Sequence, residues 1–176
     1  MVKPTASFKR ANRVKGSVVL YFVIKPLTPG GCYMSPVSDV TYNAKERKPS
    51  VKVYTADGKK MSGKQYYVEY ENNINAGTAR ITVMGKNNVA GLLCTQSFII
   101  KPQDIGKTKL NYRYDKAVGK FAFFNVTYGN MTLRERIDYT LSEEGPDSKG
   151  RYTVTVTALP GRSFEEKTTK SMRYKK

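Results

Sequence analysis

The residues able to do chemistry are few and poorly grouped. Two adjacent carboxylate pairs stand out, Glu143-Glu144 and Glu165-Glu166. Successive side chains of a strand point to opposite faces, so neither pair is arranged as an acid/base dyad. The chain has no His, which removes the commonest general base and the commonest metal ligand. Its two cysteines, Cys32 and Cys94, are too few for a four-thiolate or Cys/His zinc site. Asp57, Asp104, Asp138 and Asp147 could meet at a calcium site, but no D-x-[DN]-x-[DN]-G loop gathers them. Neither a GxxxxGK[ST] nor a GxGxxG phosphate-binding turn occurs. Carboxylate or Ser/Lys chemistry stays formally open. The expectation is a chain that is not an enzyme and uses no cofactor or metal.

Charge is the second feature. Thirty-one Lys and Arg against 14 Asp and Glu give a net charge of +17. Such a balance attracts polyanions. The cations run the whole length, however, with local density at Lys45-Glu46-Arg47-Lys48, Lys59-Lys60 and Arg173-Tyr174-Lys175-Lys176. No RNP-like, helix-turn-helix or zinc-finger pattern accompanies them, so nucleic acid is disfavoured as a partner. Lys on edge strands also blunts edge-to-edge aggregation.

The elements that would carry these residues are strands. Tyr (13 residues) with Val, Thr and Ile is a strand-favouring palette, and no long Ala/Leu/Glu-rich stretch has helical spacing. Val51-Lys52-Val53-Tyr54, Arg80-Ile81-Thr82-Val83 and Arg151-Tyr152-Thr153-Val154-Thr155-Val156 alternate with a period of two. Turn signals separate them: Ala56-Asp57-Gly58-Lys59, Glu71-Asn72-Asn73, Asn75-Ala76-Gly77, Gly85-Lys86-Asn87-Asn88 and Gly145-Pro146-Asp147. Short strands at this spacing predict a β-sandwich.

The chain also repeats. Phe22-Val23-Ile24-Lys25-Pro26 returns as Phe98-Ile99-Ile100-Lys101-Pro102, 76 residues on. Thr95-Gln96-Ser97-Phe98-Ile99-Ile100-Lys101 returns 74 residues later as Thr169-Lys170-Ser171-Met172-Arg173-Tyr174-Lys175. Val14-Lys15-Gly16 precedes the first ending as Val89-Ala90-Gly91 precedes the second. Gln65-Tyr66-Tyr67-Val68 matches Asp138-Tyr139-Thr140-Leu141, and 77–83 matches 150–156, both at a separation of 73. Val40-Thr41-Tyr42 opens one unit as Leu110-Asn111-Tyr112 opens the next, 70 residues on. Tandem units follow from this constancy: the closing strand or strands of a preceding repeat (1–27), a complete unit (28–104) and a diverged one (105–176). Residues 14–27 are then expected to be a strand whose own sheet is missing.

Residues 37–102 resemble the Ig-like repeats of Gram-positive surface proteins, particularly those of gut Firmicutes. The likeness rests on Val40-Thr41-Tyr42-Asn43-Ala44, Lys48-Pro49-Ser50-Val51-Lys52-Val53 and Asp57-Gly58-Lys59-Lys60-Met61. It continues through Gly63-Lys64-Gln65-Tyr66-Tyr67-Val68-Glu69-Tyr70-Glu71-Asn72-Asn73 and Asn75-Ala76-Gly77-Thr78-Ala79-Arg80-Ile81-Thr82-Val83. Gly85-Lys86-Asn87-Asn88-Val89-Ala90-Gly91 and Thr95-Gln96-Ser97-Phe98-Ile99-Ile100 complete it. Gln65 stands where the family usually has Asp, and Val89 where it has Tyr. The last unit keeps Asp138-Tyr139 and lacks the N-A-G-T-A turn. The resemblance implies a β-sandwich used as stalk or binding module, with no catalytic residues to carry over.

First and last strands lie close in such sandwiches, so Cys32 and Cys94 are a candidate disulfide in an oxidising location. Two free thiols are the alternative. Tyr66, Tyr70 and Tyr139 could form an aromatic platform for sugars or bases, with packing the favoured reading. Lys45, Arg47, Lys48, Lys59, Lys60, Tyr66 and Tyr70 are the candidate ligand contacts. The expected function is a structural or adhesive module of a bacterial surface or secreted protein, with neighbouring repeats as partners. Contact with anionic cell-wall polymers, a dedicated glycan or polyanion module, and an accessory domain of an extracellular enzyme are the further readings. No apolar run reaches the ~18 residues of a membrane span. The basic stretch before Val18-Val19-Leu20-Tyr21-Phe22-Val23-Ile24 imitates a signal peptide, with Gly30-Gly31-Cys32 as its cleavage site. The segment is too short and is interrupted by Lys25-Pro26, so a strand explains it better.

Overall fold

The computed structural model describes residues 5–7, 17–27 and 29–173. Among these the chain is all-β, with 51% of it in strands and no α-helix. Strands β1 (Thr5–Ser7) and β2 (Ser17–Val19) form a small antiparallel hairpin. Three two-residue strands follow, β3 (Tyr33–Met34), β4 (Val40–Thr41) and β5 (Val53–Tyr54). Then come the long strands β6 (Tyr66–Glu71), β7 (Gly77–Gly85) and β8 (Leu92–Lys101). β6, β7 and β8 run as an antiparallel meander, and β4 joins β8 in parallel, giving the order β4-β8-β7-β6. β3 pairs with β5 as a separate ribbon.

The second half begins with β9 (Gln103–Asp104) and a 3-10 turn at Ile105–Lys107. β10 (Lys109–Asp115), β11 (Lys120–Tyr128) and β12 (Met131–Leu133) make one three-stranded sheet. β13 (Tyr139–Glu144), β14 (Arg151–Ala158) and β16 (Lys167–Arg173) make another. Between the last two, β15 (Phe164–Glu165) pairs in parallel with β9.

Alternation along the strands builds the core. On β7, Ala79, Ile81 and Val83 are fully buried, and on β14 Val154 and Val156 match them. Burying a branched aliphatic side chain of this size stabilises by about 1.5–3 kcal/mol. On β8, Phe98 and Ile100 face inward, and a register shift opposite Val83 and Met84 turns Leu93 inward as well. Such a bulge lets two successive residues serve one partner. Gly85 closes the turn before β8: a Cβ there would sit 2.8 Å from the Val89 carbonyl oxygen.

The two meanders share one pairing register up to the β8 bulge, where Met84 faces Leu92 but the later Thr157 faces Lys167 with no shift. Tyr66 faces Gly85 and Tyr70 faces Ile81 across β6 and β7. Tyr139 faces Ala158 and Glu143 faces Val154 across β13 and β14, each residue 73 positions later. Ile81 faces Gln96 across β7 and β8, and Val154 faces Lys170 across β14 and β16. The 73- and 74-residue sequence separations therefore correspond to one hydrogen-bonded pattern built twice.

The openings of the two units differ from expectation. Val40-Thr41 pairs with β8, whereas Leu110-Asn111 lies in β10 and pairs with β11 over seven rungs, including a bulge. A long antiparallel ladder takes up β10 that a two-residue parallel one could not hold. The strand read at Val51-Lys52-Val53-Tyr54 covers only Val53 and Tyr54.

The expected strand over 14–27 also needs correction. Residues 14–16 lie outside the described residues. The 17–19 stretch has a partner, Thr5–Ser7, within the same N-terminal segment. Residues 20–26 form no strand, and Leu27 makes a single parallel bridge with Val89. Its amide donates to the Asn88 carbonyl at 2.7 Å, and its carbonyl accepts from the Ala90 amide at 3.0 Å. Leu27 thus makes one rung instead of a ladder, and Val19, Leu20, Tyr21, Phe22, Val23 and Ile24 are exposed.

Candidate functional site

The densest of the candidate contacts sits on the loop after β4. Asn43 shapes it, its side-chain oxygen accepting from the Lys45 amide at 3.1 Å, with Ala44 in the left-handed region. Asn73, in the turn after β6, anchors it from below. The Arg47 amide donates to the Asn73 carbonyl at 2.7 Å, and the Asn73 side-chain amide donates to the Arg47 carbonyl at 3.2 Å. Asn73 is buried, and this exchange satisfies it. Tyr70 braces the far end, its hydroxyl donating to the Pro49 carbonyl at 2.6 Å.

On this frame the Lys48 ammonium pairs with Glu46 at 2.5 Å, and Lys45 is exposed. Arg47 is half-buried, and its Nε is enclosed with no hydrogen-bond partner among the described residues. A buried donor left unmade costs about 1–3 kcal/mol, so the Arg47 Nε is the one such side-chain cost among the described residues. Val40, Glu46, Arg47, Lys48 and Pro49 line an open cleft of about 350 Å³ there. Two cations, Arg47 and Lys48, and one carboxylate, Glu46, thus line the cleft.

The remaining candidates fall elsewhere. Lys59 and Lys60 are exposed on the turn before Met61, beside the stacked pair Tyr33 and Tyr54. Tyr66 and Tyr70 occupy the inward side of β6 and pack against the core, while Tyr139 is buried. Burial raises the Tyr70 and Tyr139 hydroxyls above their ordinary range. Packing therefore accounts for all three, and no exposed aromatic platform forms from them.

Cys32 and Cys94 are both free thiols. Cys32 is buried, its Sγ 3.9 Å from the Met61 sulfur. Burial, and secondly the nearby Cys32 thiol, push the Cys94 thiol up. The carboxylates act locally. Asp57 accepts from the Thr55 hydroxyl, Asp104 from the Gly106 amide at 2.7 Å, and Asp138 from the Arg134 amide at 2.8 Å. Asp147 accepts from the amides of Lys149 and Arg151. Among the described residues no cluster of three or more potential metal ligands forms. Glu143, Glu144, Glu165 and Glu166 are exposed.

Sequence reasoning missed the junction between the halves. Tyr42, read only as the end of an opening motif, packs edge-on against Phe164 and stacks with Tyr128 at 6.3 Å. Gln103 donates to the Tyr128 hydroxyl at 3.0 Å and to the Tyr42 carbonyl at 3.4 Å. The Ala76 amide donates to the Ser163 hydroxyl at 3.2 Å. These residues carry no local pattern, since their partners lie on distant strands. Beside them, an open cleft of about 750 Å³ runs between Asn43, Ala44 and Lys45 on one side and 128–131 on the other.

Comparison with protein-family models, with curated proteins and with solved structures finds no match for this chain.

Proposed function

We propose that this chain is a non-enzymatic structural or adhesive module of a bacterial cell-surface or secreted protein. In this reading residues 28–104 and 105–176 are tandem Ig-like sandwich repeats that space or display other domains. The observation that carries it is the meander built twice in one register, Tyr66 with Gly85 and Tyr139 with Ala158. Units that recur in this way stack in series, each supported by its neighbour. The contacts of Tyr42, Tyr128 and Phe164 support a fixed joint, as a spacer requires. The purified chain is expected to turn over no peptide, glycoside or phosphoester substrate in an activity screen. Turnover that persists through purification and tracks the chain would sink the proposal.

A second reading rests on the loop after β4. Three cations on one anchored loop, Lys45, Arg47 and Lys48, favour contact with an anionic polymer such as a cell-wall polyphosphate. Retention on heparin that survives about 0.5 M salt, where exposed charges are strongly screened, supports a dedicated site. Elution well below that strength leaves only general attraction by the +17 charge.

A further inference from the structure

The two halves meet beside a cleft that their joint leaves open. At about 750 Å³ it has room for a small ligand, and it lies between units, where ligand sites concentrate. One wall is the turn after β4, the other the turn joining β11 to β12. Each wall is fixed from within. The Asn43 side-chain oxygen accepts from the Lys45 amide at 3.1 Å, with Ala44 between them at a φ of 60°. Across the cleft Tyr128 faces Met131 over a two-residue turn, with Gly129 at a φ of 56°. Such turns use Gly at that first central position. The walls are also tied to one another. The Tyr42 hydroxyl, next to Asn43, donates to the Met131 sulfur at 3.5 Å, and the Tyr42 ring stacks with Tyr128. Their separation is thus set by the joint beneath.

The lining is selective in its chemistry. The Asn43 oxygen is engaged, which leaves its side-chain N–H groups to donate. Asn130 is exposed, and its amide both donates and accepts. No carboxylate lines the cleft, so Lys45 is its one charge. Ala44 and Met131 add a small apolar surface. We infer that this cleft binds a sugar acid, a pyranose ring carrying one carboxylate. The carboxylate pairs with Lys45 in a charge-assisted hydrogen bond. Ring hydroxyls meet the Asn43 and Asn130 amides, and a C–H face of the ring lies on Ala44 and Met131. A bare anion would use Lys45 alone, and a neutral sugar would leave it idle. The bound ring touches both halves at once. The site is separate from the cleft lined by Arg47 and Lys48, and shares with the polyanion reading only Lys45.

Amide chemical shifts of the full chain, titrated with sodium glucuronate and with sodium galacturonate, test the inference. Glucose and inorganic phosphate, at matched ionic strength, are the comparison ligands. At least one sugar acid is expected to give saturable shifts at 43–45 and 128–131, and to bind more tightly than glucose or phosphate. Asn130→Ala should weaken that binding about fivefold and Lys45→Met about tenfold, the larger loss falling on the charged partner. Lys48→Met, which bears on the polyanion reading alone, should leave it unchanged. No saturable shift at the two turns with either sugar acid overturns the inference. So does phosphate or glucose binding as tightly, unchanged affinity in either turn variant, or loss of binding in Lys48→Met.

Discussion

Tyr42 meets Phe164 edge to face, ring centroids 5.4 Å apart and planes at 79°, across the boundary between the two halves. The phenol is caught in an environment hostile to its ionised form. Burial, and secondly the Asp138 carboxylate, raise its pKa above 10.0, with a hydrogen bond to Ser163 opposing them. A raised phenol pKa contributes stability that is present below the unfolded value and lost as pH climbs through the folded one. Alkaline titration is therefore expected to lower the urea midpoint from about pH 10 upward. Tyr42→Phe removes one such group and should flatten that decline. Equal alkaline slopes in the two proteins would contradict the assignment.

Ile81 and Val154 hold the same place in the duplicated meander and are both fully buried. Ile81→Ala is expected to cost about 2–5 kcal/mol and Val154→Ala about 2 kcal/mol, by lost burial and the cavity left behind. Denaturant unfolding measures both. Values under ~0.5 kcal/mol, typical of surface changes, would mean that the two positions are not core.

The thiols give a chemical check. Labelling under denaturing, non-reducing conditions should count two free cysteines. In the folded chain Cys94 should react first but slowly, because burial raises its pKa and holds back the thiolate. Cys32, buried beside Met61, should be protected until unfolding. A single band resistant to labelling until reduction would show a bridge instead.

The loop after β4 predicts a graded charge effect. Lys45→Ala, which removes an exposed cation, should shift heparin elution slightly. Arg47→Ala should shift it more, because its half-buried cation lines the cleft and is screened less than a fully exposed one. Lys59→Ala, on a separate turn, should resemble Lys45→Ala. Equal shifts for all three would reduce the loop to general electrostatics.

Much of the β architecture was legible because its signals are local. Arg80-Ile81-Thr82-Val83 alternates, and β7 buries the two apolar members as that period requires. The repeat positions anticipated pairings, since equal spacing preserves register. What escaped depends on distant partners. Nothing around Tyr42 announces Phe164 or Tyr128. Nothing around Leu110 shows that its strand joins β11 and not the closing strand. The hairpin of Thr5–Ser7 with Ser17–Val19 was hidden for another reason: Ser7-Phe8 and the basic stretch after it give no alternation to read. At the candidate site, the basic cluster at 45–48 was visible as composition, but the enclosure of the Arg47 Nε depends on the loop's tertiary anchoring.

The proposed spacer role requires that the two halves hold together, so the joint at Tyr42 and Phe164 is its central claim. Differential scanning calorimetry of the full chain and of Phe164→Ala tests it most directly. The full chain should unfold in one cooperative transition, with calorimetric and van't Hoff enthalpies equal. Phe164→Ala, costing about 3–5 kcal/mol, should split that transition into two as the halves lose their common joint. Two independent transitions already in the unmodified chain, or one undivided transition in the variant at an unchanged temperature, would contradict it.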